Sequence, residues 1–86
     1  MEEALKPRPT QEEIDEESRR MRQLRISVEL ALGVIAQGQL NYEQAVELLQ
    51  ATRRCALELF PGKERAFDLI IQPRFRRLMN EIYRVQ

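Results

Sequence analysis

The chain has 86 residues, 43% hydrophobic and 33% charged, with a formal net charge of zero. That is enough for one domain at most, and a domain this short buries only about 60–65% of the surface its unfolded chain exposes. Three glycines, four prolines, one cysteine and no histidine exclude a turn-rich all-β fold, an intramolecular disulfide, and any nucleophile or metal set built on histidine.

Residues 1–9 include Pro7 and Pro9 and little apolar content, so a disordered tail is expected there. The opening MEEALKPRPTQEE has no apolar core of the kind a signal peptide needs. Charge is unevenly spread. Residues 1–17 carry seven acids and two bases, and residues 18–86 carry twelve bases and seven acids. Such asymmetry can place an acidic tail over a basic surface.

Thr10 followed by Glu13 is a capping-box pattern and predicts the start of a long first helix, over about 10–37. Its apolar residues Ile14, Met21, Leu24, Val28, Ala31 and Ile35 recur at steps of three and four, interrupted by Glu17. A second stripe, Ile26, Leu30 and Val34, makes the helix apolar on more than one side from Val28 onward. That pattern predicts burial by more than one neighbour. Gly33 falls inside the helix, where it costs about 1 kcal/mol relative to Ala. Either a close helix crossing or a lack of constraint would account for it. Gly38 suits the left-handed residue just past the helix end. The longest mostly apolar stretch, residues 26–36, contains Glu29. It is too short and too polar to span a bilayer, so no membrane role is expected and the location is read as cytoplasmic.

Asn41 and Gln44 form a second capping-box pattern and open a helix predicted over about 41–60. Its apolar face holds Tyr42, Ala45, Val46, Leu49, Thr52, Ala56, Leu59 and Phe60, and Pro61-Gly62 ends it. A short third helix is expected over 63–71, with Ala66, Phe67, Ile70 and Ile71 on one face. Pro73 disfavours the helical conformation at Gln72, which predicts a fourth helix over about 74–85 with Phe75, Leu78, Met79, Ile82 and Tyr83 inward. One helix kinked at Pro73 is the alternative. Short loops make successive helices antiparallel neighbours. The expected fold is therefore all-α: a small bundle in which two helices form an antiparallel hairpin, closed by a kinked or broken C-terminal pair.

No constellation of residues points to catalysis, and the chain reads as a non-enzyme without cofactor or metal. Cys55 lies near an apolar face with no base beside it, and is expected to be a small buried hydrophobe. The acids at positions 12–17 lack the glycine-punctuated loop of a calcium site. They read as a solvated helix start, with Asp15 and Glu16 four residues before Arg19 and Arg20. Gly33, Gly38 and Gly62 are too far apart for a phosphate loop.

The chain holds twelve arginines and two lysines. The basic clusters (Arg19, Arg20, Arg22 and Arg25; Arg53 and Arg54; Arg74, Arg76, Arg77 and Arg84) would suit a nucleic-acid backbone if they converged. Many also have carboxylates nearby, as in Arg25 with Glu29, Arg54 with Glu58 and Arg77 with Glu81. Contact with nucleic acid is the lesser reading.

The heptad rhythm of the first helix is more informative. That helix is about 40 Å long and overhangs its shorter partner. Its N-terminal half needs cover from the C-terminal helix, from a second copy or from another protein. The leading expectation is a helical protein-interaction module, a homodimer or a binder of another helical protein. Ile14, Met21, Leu24 and Ile26 are its apolar anchors, and Arg19, Arg22 and Arg25 its polar rim.

Overall fold

A computed structural model describes residues 7–84. The order of elements is α1 (Gln11–Ala36), α2 (Tyr42–Leu59), a short α3 (Glu64–Ala66), a π-helical turn (Phe67–Ile71) and α4 (Gln72–Tyr83), with no strand among the described residues. The protein is an all-α bundle, as its periodicities require. Residues 7–10 carry no regular structure. The rest of the tail expected to be disordered, residues 1–6, lies outside the described residues.

Both predicted capping boxes form. The Glu13 backbone N–H donates to Thr10 Oγ1 at 3.1 Å, and the Thr10 N–H donates to Glu13 Oε1 at 2.8 Å. Asn41 and Gln44 repeat the exchange at 2.8 and 2.9 Å. Each satisfies a backbone donor at the helix start that would otherwise need water. At the far end of α1, Gly38 takes φ +75° and its N–H donates to the Ile35 carbonyl at 3.0 Å. That reverses the chain within a few residues and makes α1 and α2 antiparallel.

The C-terminal segment is one continuous helical run rather than two helices. Gln72 is helical, with φ −58° and ψ −36°, although Pro73 follows it. The π turn explains why. Proline has no N–H and its ring crowds the carbonyl four residues back. In the looser turn the Gln72 N–H donates to the Phe67 carbonyl five residues back, and Pro73 enters the first turn of α4 without breaking the run. Steps of four residues drift by about 40° in a regular helix. The extra residue in the π turn offsets that drift, and Phe67, Ile71, Phe75 and Met79 all remain on the inner side.

The same turn carries Leu69 and Ile70 outward, where they are 64% and 68% exposed. The expected inner face Ala66, Phe67, Ile70 and Ile71 is therefore corrected. Phe67 is buried and Ile71 half-buried, while Ala66 and Ile70 are exposed.

The core consists of Val28, Ala31 and Ile35 from α1, Ala45 from α2, and Phe75 and Met79 from α4, with Leu24, Leu32, Leu40, Leu48, Leu49 and Tyr83 packed around them. The small residues Ala45, Thr52 and Ala56 of α2 are buried, and Ala45 leaves room for the larger Ile35 and Phe75. The Thr52 hydroxyl donates to the Leu48 carbonyl at 2.8 Å, so its burial leaves no unpaired group. Tyr83 ties the end of α4 to the α1–α2 connection. Its hydroxyl donates to the Leu40 carbonyl at 2.9 Å, and its ring meets Tyr42 edge-on at 5.7 Å.

Gly33 lies in the open, with nothing within 4 Å of the place a Cβ would occupy. No close helix crossing requires it. Gly33→Ala should therefore raise stability by about 0.5–1 kcal/mol, read as a higher urea midpoint at unchanged slope.

The molecule measures 59 × 22 × 16 Å with a radius of gyration of 16.8 Å, against about 12 Å for a compact chain of this length. The excess follows from helix placement. The C-terminal half of α1 is flanked by α2 and α4. Arg74 Nη2 reaches Glu29 Oε2 at 2.8 Å, so α4 begins level with the middle of α1. Arg20 lies over Phe60, at the end of α2. The residues of α1 before about position 20 project past both neighbours.

Candidate functional site

The open end of the bundle carries an uncovered apolar relief. A groove of about 410 Å3 runs between α1, the end of α2 and the π turn, its walls formed chiefly by Met21, Leu24, Leu57, Phe60, Phe67 and Ile70. Glu17 and Lys63 stand at its mouth. On the other side of Met21, a shallow concavity follows α1 itself past Ile14, Ser18, Met21, Arg22 and Arg25. Ile14 is 45% exposed and Met21 50%. Met21 thus forms a ridge between two hollows. The sequence predicts uncovered apolar residues in this half of α1, and α4 does not fold back over them.

The structure divides the predicted anchors. Ile14, Met21 and Leu24 follow one line that continues into the buried face of α1. Leu24 packs against the core. Ile26, two residues on, points about 160° away from Leu24. There it joins Leu30 and Val34 in a separate exposed stripe, 40–65% accessible. From Val28 onward α1 is packed by two neighbours, α2 and α4, as expected, but both lie on one side of it and the second apolar stripe faces away from them. Of the predicted rim, Arg22 and Arg25 border the concavity beside Ile14. Arg19 instead turns toward Glu16, at 3.3 Å.

Residues that spacing assigned to inner helix faces, and not to the interaction surface, complete the site. Phe60, Phe67 and Ile70 come to the groove from two other elements. Phe60 is half-buried beneath the Arg20 guanidinium, whose carbon lies 5.7 Å from the ring centroid. Arg20 Nη1 also reaches Glu16 Oε2 at 3.4 Å, while its Nε is buried without an acceptor.

The basic clusters do not gather on one face. Arg53 makes a two-pronged pair with Asp68, Nε to Oδ1 at 2.9 Å and Nη2 to Oδ2 at 3.1 Å. Arg74 takes Glu29, in place of the expected Arg25–Glu29 pair. Arg74, Arg76 and Arg77 fan around α4, since each residue turns the helix by about 100°. Cys55 is exposed, contrary to expectation. It lies roughly 80° from the centre of the buried Ala45–Thr52–Ala56 line, given 100° per residue, at the flank of α2.

The hydrogen bonds from Arg53 hold the Asp68 carboxyl below its ordinary pKa and raise the Arg53 guanidinium above its own. A depressed carboxylate contributes stability above its unfolded pKa, and that stability is lost as pH falls through the folded value. Asp68→Asn should therefore melt at a lower temperature than the native chain at neutral pH. The two melting curves should converge as pH falls below about 4.

Among the described residues no group of three or more His, Cys, Asp or Glu side chains is placed to hold a metal ion, and no helix is long and apolar enough to cross a membrane. Comparison with known proteins gives no match to a family model, a curated protein or a solved structure.

Proposed function

We propose that the protein is a non-enzymatic interaction module that binds another helix at the open end of its bundle, and that it self-associates through this surface. One observation carries the reading. The projecting half of α1 and the adjoining groove form a continuous apolar relief, from Ile14 across Met21 to Phe60 and Ile70, that no element among the described residues covers. Burying such side chains is favourable by about 25 cal/mol per Å2 of apolar area. An amphipathic helix laid along a groove is a common way to bury them.

Light scattering over a concentration series tests this. The native chain should approach twice its monomer mass as concentration rises, and Met21→Glu should stay monomeric with unchanged helicity. Met21 suits the test because it is half exposed, whereas a charge at Leu24 would disturb the core. A native chain that stays monomeric at every concentration would refute self-association.

A further inference from the structure

The charge pattern of α1 specifies how a second copy would sit. We infer that two copies pair antiparallel through the projecting halves of α1, about a two-fold axis beside Ser18. This rests on the self-association reading above and adds the occupant and its direction.

Residues 12–17 contain five acids and no base, and residues 19–25 contain four arginines and no acid. A parallel, in-register pair would set acids against acids and arginines against arginines. An antiparallel pair centred at Ser18 lays each acidic run along the partner's arginine run. The acidic run and Arg19 lie on the part of α1 that projects past its neighbours, and Arg22 and Arg25 are exposed beside the concavity, so a second helix can approach there without displacing any element of the bundle.

The apolar residues fit the same arrangement. Ile14 and Met21 lie about equally far on either side of Ser18, so Ile14 of each copy reaches Met21 of the other. Ser18, small and on the same concave side, occupies the crossing point, where a bulky residue would hold the helices apart. Asp15 comes opposite Arg22. The interface is isologous, as closed two-fold dimers require, and each contact occurs twice. Overlap of residues 11–25 extends for about 22 Å.

The exposed stripe of Ile26, Leu30 and Val34 has no such charge complement. Gln23 and Gln37 share its side of the helix, and it gives a second copy no direction.

Cross-linking reads the direction. Gln11→Cys and Arg25→Cys are made separately in a Cys55→Ser background, then mixed and oxidised. Antiparallel pairing about Ser18 brings position 11 of one copy level with position 25 of the other. It separates two copies of position 11 by about 21 Å along the axis. The expected product is a disulfide-linked pair of the two variants, formed only in the mixture. Each variant alone should remain uncoupled.

Self-coupling of each variant would indicate parallel pairing and overturn the inference while leaving self-association intact. A dimer by light scattering with no coupling in any mixture would place the contact on another face, with the same consequence. A monomer in both measurements would overturn the inference and the reading beneath it. Leu30→Gln, on the opposite stripe, should leave both mass and coupling unchanged.

Discussion

Phe75→Ala should abolish most of the fold's stability, with an expected loss of about 3–5 kcal/mol. Phe75 is fully buried, and with Ile35 it is one of the two largest side chains in that condition. Its removal both forfeits transfer energy and leaves a cavity among Ile35, Ala45 and Met79. Ala45, the α2 residue in this cluster, is too small to fill the space. A domain of this size has a total stability of about 4–13 kcal/mol, so one such change takes a large share of it. Urea titration followed by circular dichroism should show a greatly lowered midpoint, or no folded baseline at all. Leu69→Ala supplies the contrast. Leu69 is also a large apolar residue of the C-terminal run, but it is 64% exposed and should change stability by only about 0.5 kcal/mol. Equal losses at the two positions would mean that the π turn does not set the inner face as described.

That contrast shows where the sequence is readable. The capping boxes at Thr10 and Asn41, the reversal at Gly38 and the inner line from Leu24 to Ile35 all follow from local chemistry, and all appear in the structure. The C-terminal segment is harder because two local rules conflict there. Proline opposes a helix through Gln72, yet the apolar spacing from Phe67 to Met79 continues across it. The conflict is resolved by one π turn, which periodicity alone does not reveal and which carries Ile70 to the surface. Cys55 misleads for a related reason: it borders the apolar face, and only the positions of the neighbouring helices decide whether that border is covered.

The candidate site was partly legible. An unmatched half-helix follows from helix lengths alone, but Phe60 and Phe67 reach it only through tertiary packing. Ile26 belongs to the stripe of Leu30 and Val34 that its spacing predicts, and two residues of helix set it nearly opposite Leu24, so it does not share a surface with the other anchors.

Arg22→Glu should weaken self-association by about 30-fold. Antiparallel pairing sets Arg22 of each copy against Asp15 of the other, so one substitution alters two contacts. An exposed pair contributes about 0.5 kcal/mol. Replacing attraction by repulsion of similar size changes each contact by about 1 kcal/mol, or about 2 kcal/mol for the dimer, and every 1.4 kcal/mol is a factor of ten. Arg22 is exposed and distant from the core, so helicity and melting temperature should remain near native. Salt sharpens the measurement. The loss should shrink as ionic strength rises, because screening removes attraction in the native pair and repulsion in the variant alike. Asp15→Lys should show the same weakness alone, since its lysine then meets the partner's Arg22. An equal mixture of the two variants restores complementarity at both contacts, Asp15 with Arg22 and Lys with Glu, and should associate as the native chain does. Sedimentation of each variant and of the mixture measures all three. If the mixture stays as weak as its components, Asp15 and Arg22 do not face one another. Recovery in the mixture alone would establish that they do.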